Sequence, residues 1–92
     1  MNDAFFRAIA NPYRREIINL LKCKNLTTGE IVNSFDISQP SISRHLDILK
    51  QAEIVIAEKK ANQIIYSINI SIIKESLKYL EQLFNCEDNN KF

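Results

Sequence analysis

The stretch Ile37 to Leu49, Ile-Ser-Gln-Pro-Ser-Ile-Ser-Arg-His-Leu-Asp-Ile-Leu, constrains the fold of this chain more than any other segment. Ile42, Leu46 and Leu49 recur at a spacing that stacks them on one side of an α-helix and anchors it to a core. Gln39, Pro40, Ser43, Arg44 and Asp47 then face outward. An outer face of short polar side chains with one guanidinium suits a DNA major groove, where Gln and Arg match the edges of adenine and guanine.

The residues just before this helix carry a second set of signals. Thr27-Thr28-Gly29-Glu30 fits a capping box, in which Thr27 and Glu30 satisfy each other's backbone donors. Leu26 and Ile31 flank it at the spacing of a hydrophobic staple, and the helix it opens is expected to run to about Phe35. Asp36 is expected to close that helix in the left-handed conformation. Ser38 caps the next one, and Ile37 and Ile42 repeat the staple spacing. Two punctuated helices about three residues apart form a helix-turn-helix.

Upstream, Phe5, Phe6 and Ile9 lie at helical spacing within Asp3 to Ala10. Asn11-Pro12 opens another helix, with Asn as N-cap and Pro at the first helical position. Ile17, Ile18, Leu20 and Leu21 supply its apolar face. Downstream the period changes. Ile54 to Lys59 and Gln63 to Ile68 are rich in β-branched residues and roughly alternate, which predicts two strands joined at Lys60-Ala61-Asn62, a tip without Gly. Asn69 or Ser71 can cap a last helix carrying Ile73, Leu77, Leu80 and Phe84 on one face, widened by Ile72, Tyr79 and Leu83. The predicted fold is mainly α (α+β): a winged helix-turn-helix of about five helices and a two-stranded β-hairpin wing. One domain over residues 1–86 is expected, followed by a flexible tail over 87–92.

Composition bounds the function classes. With 46% hydrophobic residues the chain is that of an ordinary globular protein, and no apolar run reaches the roughly 18 residues of a membrane span. The N-terminus lacks a basic region followed by an apolar stretch, so no signal peptide is expected. Cys23 and Cys86 make no disulfide framework, and a cytoplasmic location follows as the expectation. Twelve Lys and Arg against eleven Asp and Glu leave a formal charge of +1, weak for a nucleic-acid binder, so a positive footprint must come from local arrangement.

Phe5 to Leu21 resembles the opening signature of the ArsR/SmtB family of bacterial winged-helix repressors. Ile37 to Val55 resembles that family's recognition helix, and Tyr66 falls where its second wing strand usually has a Tyr. The resemblance covers roughly residues 4 to 84 and is greatest to the short SdpR-type autorepressors. It implies a homodimer that blocks transcription from a near-palindromic operator. The family usually has a Gly near the wing tip, where this chain has Ala61.

Each candidate site has a functional and a plain reading. Gln39, Pro40, Ser41, Ser43 and Arg44 are expected to contact base edges or phosphates; otherwise they are a solvated helix face. Lys59, Lys60, Asn62 and Gln63 at the wing tip suit phosphate contacts, or else form a charged edge that blocks aggregation. His45 is expected to be a packed, hydrogen-bonded core histidine rather than a ligand or catalyst. Arg14 and Arg15 could approach the DNA backbone or pair with Glu16 or other acidic residues. Phe5, Phe6, Ile73, Leu77, Leu80 and Phe84 offer more apolar surface than packing on one body needs, and are expected to form a dimer interface.

Metal-sensing members of the resembled family place a Cys-x-Cys pair on the first helix of the helix-turn-helix, or His and Asp on the last. Here Thr28 to Phe35 has no thiol and the last helix has no His, so no metal and no cofactor is expected. Cys23 and Cys86 read as small buried hydrophobes, with redox sensing as the alternative. With one histidine, no nucleophile–base pair and no Gly-rich phosphate loop, an enzyme is not expected. The expected partners are a double-stranded DNA operator, a second copy of the chain, and a protein or small-molecule inducer. The alternative is a winged-helix protein-interaction module, favoured by the near-neutral charge and opposed by the polar face from Ser38 to Arg44.

Overall fold

The computed structural model describes residues 2–85. The expected tail over 87–92 and Cys86 lie outside the described residues. Within them the chain runs α1 (Asp3–Ile9), α2 (Pro12–Leu21), β1 (Leu26–Thr27), α3 (Thr28–Val32), α4 (Gln39–Gln51), β2 (Val55–Lys60), β3 (Gln63–Ile68) and α5 (Ile70–Phe84). This is the winged helix-turn-helix that the sequence predicts, with one addition. β1 pairs with β3, so the wing is a three-stranded antiparallel sheet in the order β1-β3-β2 rather than a two-stranded hairpin.

Local capping chemistry sets most of the helix starts. Asn11 Oδ1 accepts from the backbone N–H groups of Tyr13, at 2.8 Å, and Arg14, at 3.3 Å, with Pro12 at the first helical position. The capping box at α3 is complete: Glu30 Oε1 accepts from Thr27 N–H at 2.9 Å, and Thr27 Oγ1 from Glu30 N–H at 3.2 Å. Ser38 Oγ accepts from Ser41 N–H at 3.2 Å and starts α4.

Three local expectations need correction. α3 ends at Val32 rather than near Phe35, and its C-cap Asn33 has helical dihedrals, with its N–H bonded to Gly29 at 2.9 Å. The turn therefore closes without a left-handed Asp36; among the described residues only Glu53, at φ 64°, and Ala61, at φ 56°, have positive φ. Asn69 does stand at the N-cap of α5, but its side chain makes no capping bond. Its Nδ2 instead donates to the Glu53 carbonyl at 3.0 Å, tying the start of α5 to the end of α4.

Glu53 ends α4 in a Schellman motif. Its N–H donates to the Lys50 carbonyl at 2.9 Å and Ile54 N–H to that of Leu49 at 3.0 Å. Leu49 and Ile54 are both fully buried, which supplies the hydrophobic contact that accompanies this motif.

The core lies where α1, α2, α3 and α4 meet the base of the sheet. Ala8, Ile17, Leu21, Leu26, Ile31, Ile42, Leu46, Leu49, Ile54, Val55 and Tyr66 are all buried. Leu26 stands opposite Tyr66 across β1 and β3, and Ala57 stands opposite Tyr66 across β2 and β3. Beyond Ala57 on β2, Glu58, Lys59 and Lys60 are exposed, so the hairpin projects from the body. α5 projects as well, and the radius of gyration is 15.7 Å where a compact domain of this length has about 12 Å.

Candidate nucleic-acid interface

The recognition helix α4 has the two faces its sequence predicts. Ile42, Leu46 and Leu49 are at most 1% exposed, which fixes the helix against the body. Gln39, Pro40, Ser43, Arg44 and Asp47 are exposed on its other side. Ser41 differs from its neighbours. It is half-buried, and its Oγ lies 2.9 Å from Ser38 Oγ, so its hydroxyl belongs to the cap that starts the helix. Lys59, Lys60, Asn62 and Gln63 are exposed at the far end of the hairpin, with Ala61 in the left-handed turn. A cavity of 260 Å³ brings Asn62, Gln63 and Ile64 beside Thr27, Thr28 and Gly29, so the wing and the start of α3 share a border.

His45 is not a core residue. It is half-buried at the rim of α4, stacked on Tyr13 with ring centroids 5.7 Å apart and planes 25° from parallel. Arg14 Nη1 lies 3.2 Å from its Nδ1. Burial first, then the positive charges of Arg14 and Arg44, push the pKa of His45 below the ordinary histidine value. The neutral ring accepts from the guanidinium at Nδ1 and carries its proton on Nε2.

Arg14 and Arg15 have backbone partners that the sequence reading did not name. Arg14 Nε donates to the Ala8 carbonyl at 2.6 Å and Nη2 to the Arg7 carbonyl at 3.3 Å. Arg15 Nη1 donates to the Ile9 carbonyl at 2.8 Å. Both guanidiniums are therefore bound to the last carbonyls of α1, of which that of Arg7 also accepts from Ala10 N–H at 3.2 Å. No sequence signal pointed there, because the acceptors are backbone atoms brought close by the turn at Asn11. Cys23, expected to be buried, is exposed just past the end of α2.

The far side of the molecule carries an apolar surface. Leu77, Leu80, Leu83 and Phe84 of α5 are exposed, Phe84 to 80%. Phe5, Phe6, Ile9, Ile73, Ser76, Leu77 and Leu80 line a cavity of 230 Å³ between α1 and α5. Phe5 and Phe6 make an edge-to-face pair at 5.2 Å, and Phe6 lies 6.1 Å from Tyr79. Buried Ser76 donates to Asn2 Oδ1 at 3.2 Å and ties α5 to the start of α1.

Among the described residues no three His, Cys, Asp or Glu side chains come together as a metal site, and no helix is long and apolar enough to cross a membrane.

The comparison with known proteins agrees with this architecture. Residues 11–57 match the model for bacterial regulatory proteins of the arsR family. The transcriptional repressor SdpR of Bacillus subtilis is 43% identical over 90 residues, which span 98% of this chain and 99% of that protein. The arsenical resistance operon repressor of Staphylococcus xylosus is 33% identical over 87% of this chain and 73% of its own length. Among solved structures, an ArsR family transcriptional regulator superposes with a TM-score of 0.82 at 22% identity, covering 88% of this chain and 89% of that one. HlyU from Vibrio cholerae does so with a TM-score of 0.72 at 27% identity, covering 88% of each. The buried stripe and polar face of α4, the hairpin wing and this match over most of the chain lead to one assignment: the protein belongs to the ArsR family and is a helix-turn-helix transcriptional regulator.

Proposed function

We propose that this chain is a transcriptional repressor that binds a near-palindromic double-stranded DNA operator as a homodimer, in the cytoplasm and without a cofactor. The observation that carries the reading is the exposed row of Gln39, Pro40, Ser43 and Arg44 on a helix whose opposite side is fully buried. A helix held this rigidly can present Gln and Arg to base edges without losing much conformational freedom on binding. Ser41 belongs to the same row, through its backbone and cap rather than a free hydroxyl. Lys59, Lys60, Asn62 and Gln63 would follow the phosphates beside that groove.

Repression, rather than activation, is favoured by the name of the relative at 43% identity. Control of its own promoter is part of the reading. So is relief by a protein or small-molecule inducer.

The dimer reading rests on the apolar surface of α1 and α5. Leu77, Leu80 and Phe84 stay exposed beside the half-buried Phe5, Phe6 and Ile73, an apolar surface of the kind that marks an interaction site. A dimer paired through these faces would have to hold its two α4 helices one DNA turn apart, about 34–36 Å, to read a near-palindromic operator.

Hydroxyl-radical footprinting with sedimentation of the same sample tests the proposal. Two protected stretches one helical turn apart, on a dimer that Leu77→Glu converts to monomer, are expected. A single protected stretch, or a monomeric wild-type mass at micromolar concentration, would remove the dimeric reading.

A further inference from the structure

We infer that Arg14 is a positioning residue for DNA binding, holding the recognition helix α4 to the dimer-side helix α1 through His45. The inference rests on the DNA-binding reading above and adds to it a residue that acts through the placement of α4.

One guanidinium joins three elements. From α2, Arg14 donates Nε–H to the Ala8 carbonyl at 2.6 Å and Nη2 to the Arg7 carbonyl at 3.3 Å, both on α1. Its Nη1 reaches His45 Nδ1 on α4 at 3.2 Å. The planar, rigid fork of an arginine suits this arrangement, and a lysine could not span it with one ammonium. Tyr13, the neighbouring residue on α2, covers a face of the same imidazole. Position and plane of the His45 ring are therefore both set from α2. His45 adjoins Arg44 on α4, the one guanidinium of the exposed row, so a turn of α4 about its axis moves Arg44 and the clamp together.

The clamp works only while Nδ1 is an acceptor. The charges that act on the ring are Arg14 from α2 and Arg44 from its own helix, both positive. From α1, the carbonyl oxygens of Arg7 and Ala8 face the guanidinium, and the Arg7 side chain borders the same cleft as Arg14. A proton on Nδ1 would turn an acceptor into a donor facing a donor, and the bridge would open. The direction of the His45 shift agrees, since its surroundings oppose that proton.

The test uses the full chain and a labelled duplex selected from a random-sequence pool by the wild-type protein. Arg14→Gln removes the fork, and His45→Asn keeps an acceptor near the Nδ1 position that does not titrate. Operator affinity is measured from about pH 8 to about pH 5.5, a window that spans the ordinary histidine value. Amide exchange in α4 is followed in the free protein. Arg14→Gln is expected to stay folded and dimeric, bind the operator about tenfold more weakly at the upper pH, and exchange α4 amides faster. Wild type is expected to lose affinity on the acid side. His45→Asn, which keeps the acceptor but loses the Tyr13 stack, is expected to start from a lower affinity at the upper pH, nearer wild type than Arg14→Gln, and to lose much less on the acid side. A merely structural role would not separate wild type from His45→Asn in this way.

Unchanged operator affinity and α4 exchange in Arg14→Gln would overturn the inference, as would identical pH profiles for wild type and His45→Asn. If Arg14→Gln does not fold, the two pH profiles decide alone. Failure of the wild type to select any duplex would instead count against the DNA-binding reading. The α4 exchange of Arg14→Gln would then still decide whether the clamp exists.

Discussion

Leu26 and Tyr66 face each other across β1 and β3, both buried, and this pair joins the base of the wing to the helix-turn-helix. β1 is only two residues long, yet it leads directly into the capping box of α3. The wing is thus registered against the helix that precedes the recognition helix. Truncating Tyr66 removes a ring from the core where sheet and helices meet, and the backbone pairing on either side limits collapse of the cavity. Tyr66→Ala is expected to cost about 3 kcal/mol, read as a lowered denaturant midpoint with an unchanged slope. A loss under about 0.5 kcal/mol, the range of ordinary surface substitutions, would mean that the wing is not anchored there.

Positive φ at Glu53 and Ala61 predicts two stabilising substitutions. A side chain in the left-handed region costs roughly 1–2 kcal/mol that glycine does not. Glu53→Gly keeps the backbone bonds of the Schellman motif and is expected to raise the melting temperature by several degrees. Ala61→Gly does the same for the hairpin turn, with a smaller global effect because the tip lies outside the core. A lower melting temperature in both variants would contradict the conformations of these two turns.

The pH dependence of stability has a definite sign at His45. Burial and the two neighbouring arginines lower its pKa in the folded chain, while the unfolded chain titrates near 6.5. Below that pH the unfolded state binds more protons, so stability falls with acid until the folded ring is protonated as well. Above about pH 7 this contribution is constant. Denaturant titrations between about pH 8 and about pH 5 should show the loss in wild type and a shallower one in His45→Asn. Equal slopes would mean that the ring is not held neutral.

The two parts of the proposed interface should respond differently to substitution. Arg44→Ala is expected to cost about 1–3 kcal/mol on the selected operator and little on a scrambled duplex, because a guanine-reading guanidinium specifies sequence. Lys59→Ala and Lys60→Ala should each weaken binding to both duplexes and reduce the salt slope by about 0.9. A uniform loss from Arg44→Ala would reassign it to phosphate.

Much of the fold is legible in the sequence because it is written in local chemistry. Asn11-Pro12, the Thr27 to Glu30 box and Ser38 each start a helix within three residues of themselves, and the atoms bond as the residue types require. The apolar spacing of Ile42, Leu46 and Leu49 likewise yields the orientation of α4, and with it which side of Gln39 to Arg44 meets solvent. The features that escaped are non-local. β1 exists because β3 comes alongside it nearly forty residues later in the chain. Arg14 finds carbonyls at the end of another helix, and no composition signal marks a backbone acceptor. Glu53 and Ala61 hold positive φ without the glycine or asparagine that would announce it, whereas Asp36, a residue tolerant of that conformation, does not adopt it. His45 reads as core because its helix position borders the apolar stripe. Its ring instead lies at the rim, where Tyr13 and Arg14 hold it.

The most direct test of the account is the affinity ratio between a duplex from the gene's own upstream region and a scrambled duplex of the same length. Fluorescence anisotropy at about 0.15 M ionic strength, where non-specific binding is not exaggerated, reads both. The account predicts a preference of about 10³-fold or more, the lower edge of sequence-specific binders, abolished when the faces of α1 and α5 are disrupted. Equal, weak binding to this duplex, to its scrambled partner and to every duplex recovered from a random pool would contradict it, and would assign the polar face of α4 to a protein partner.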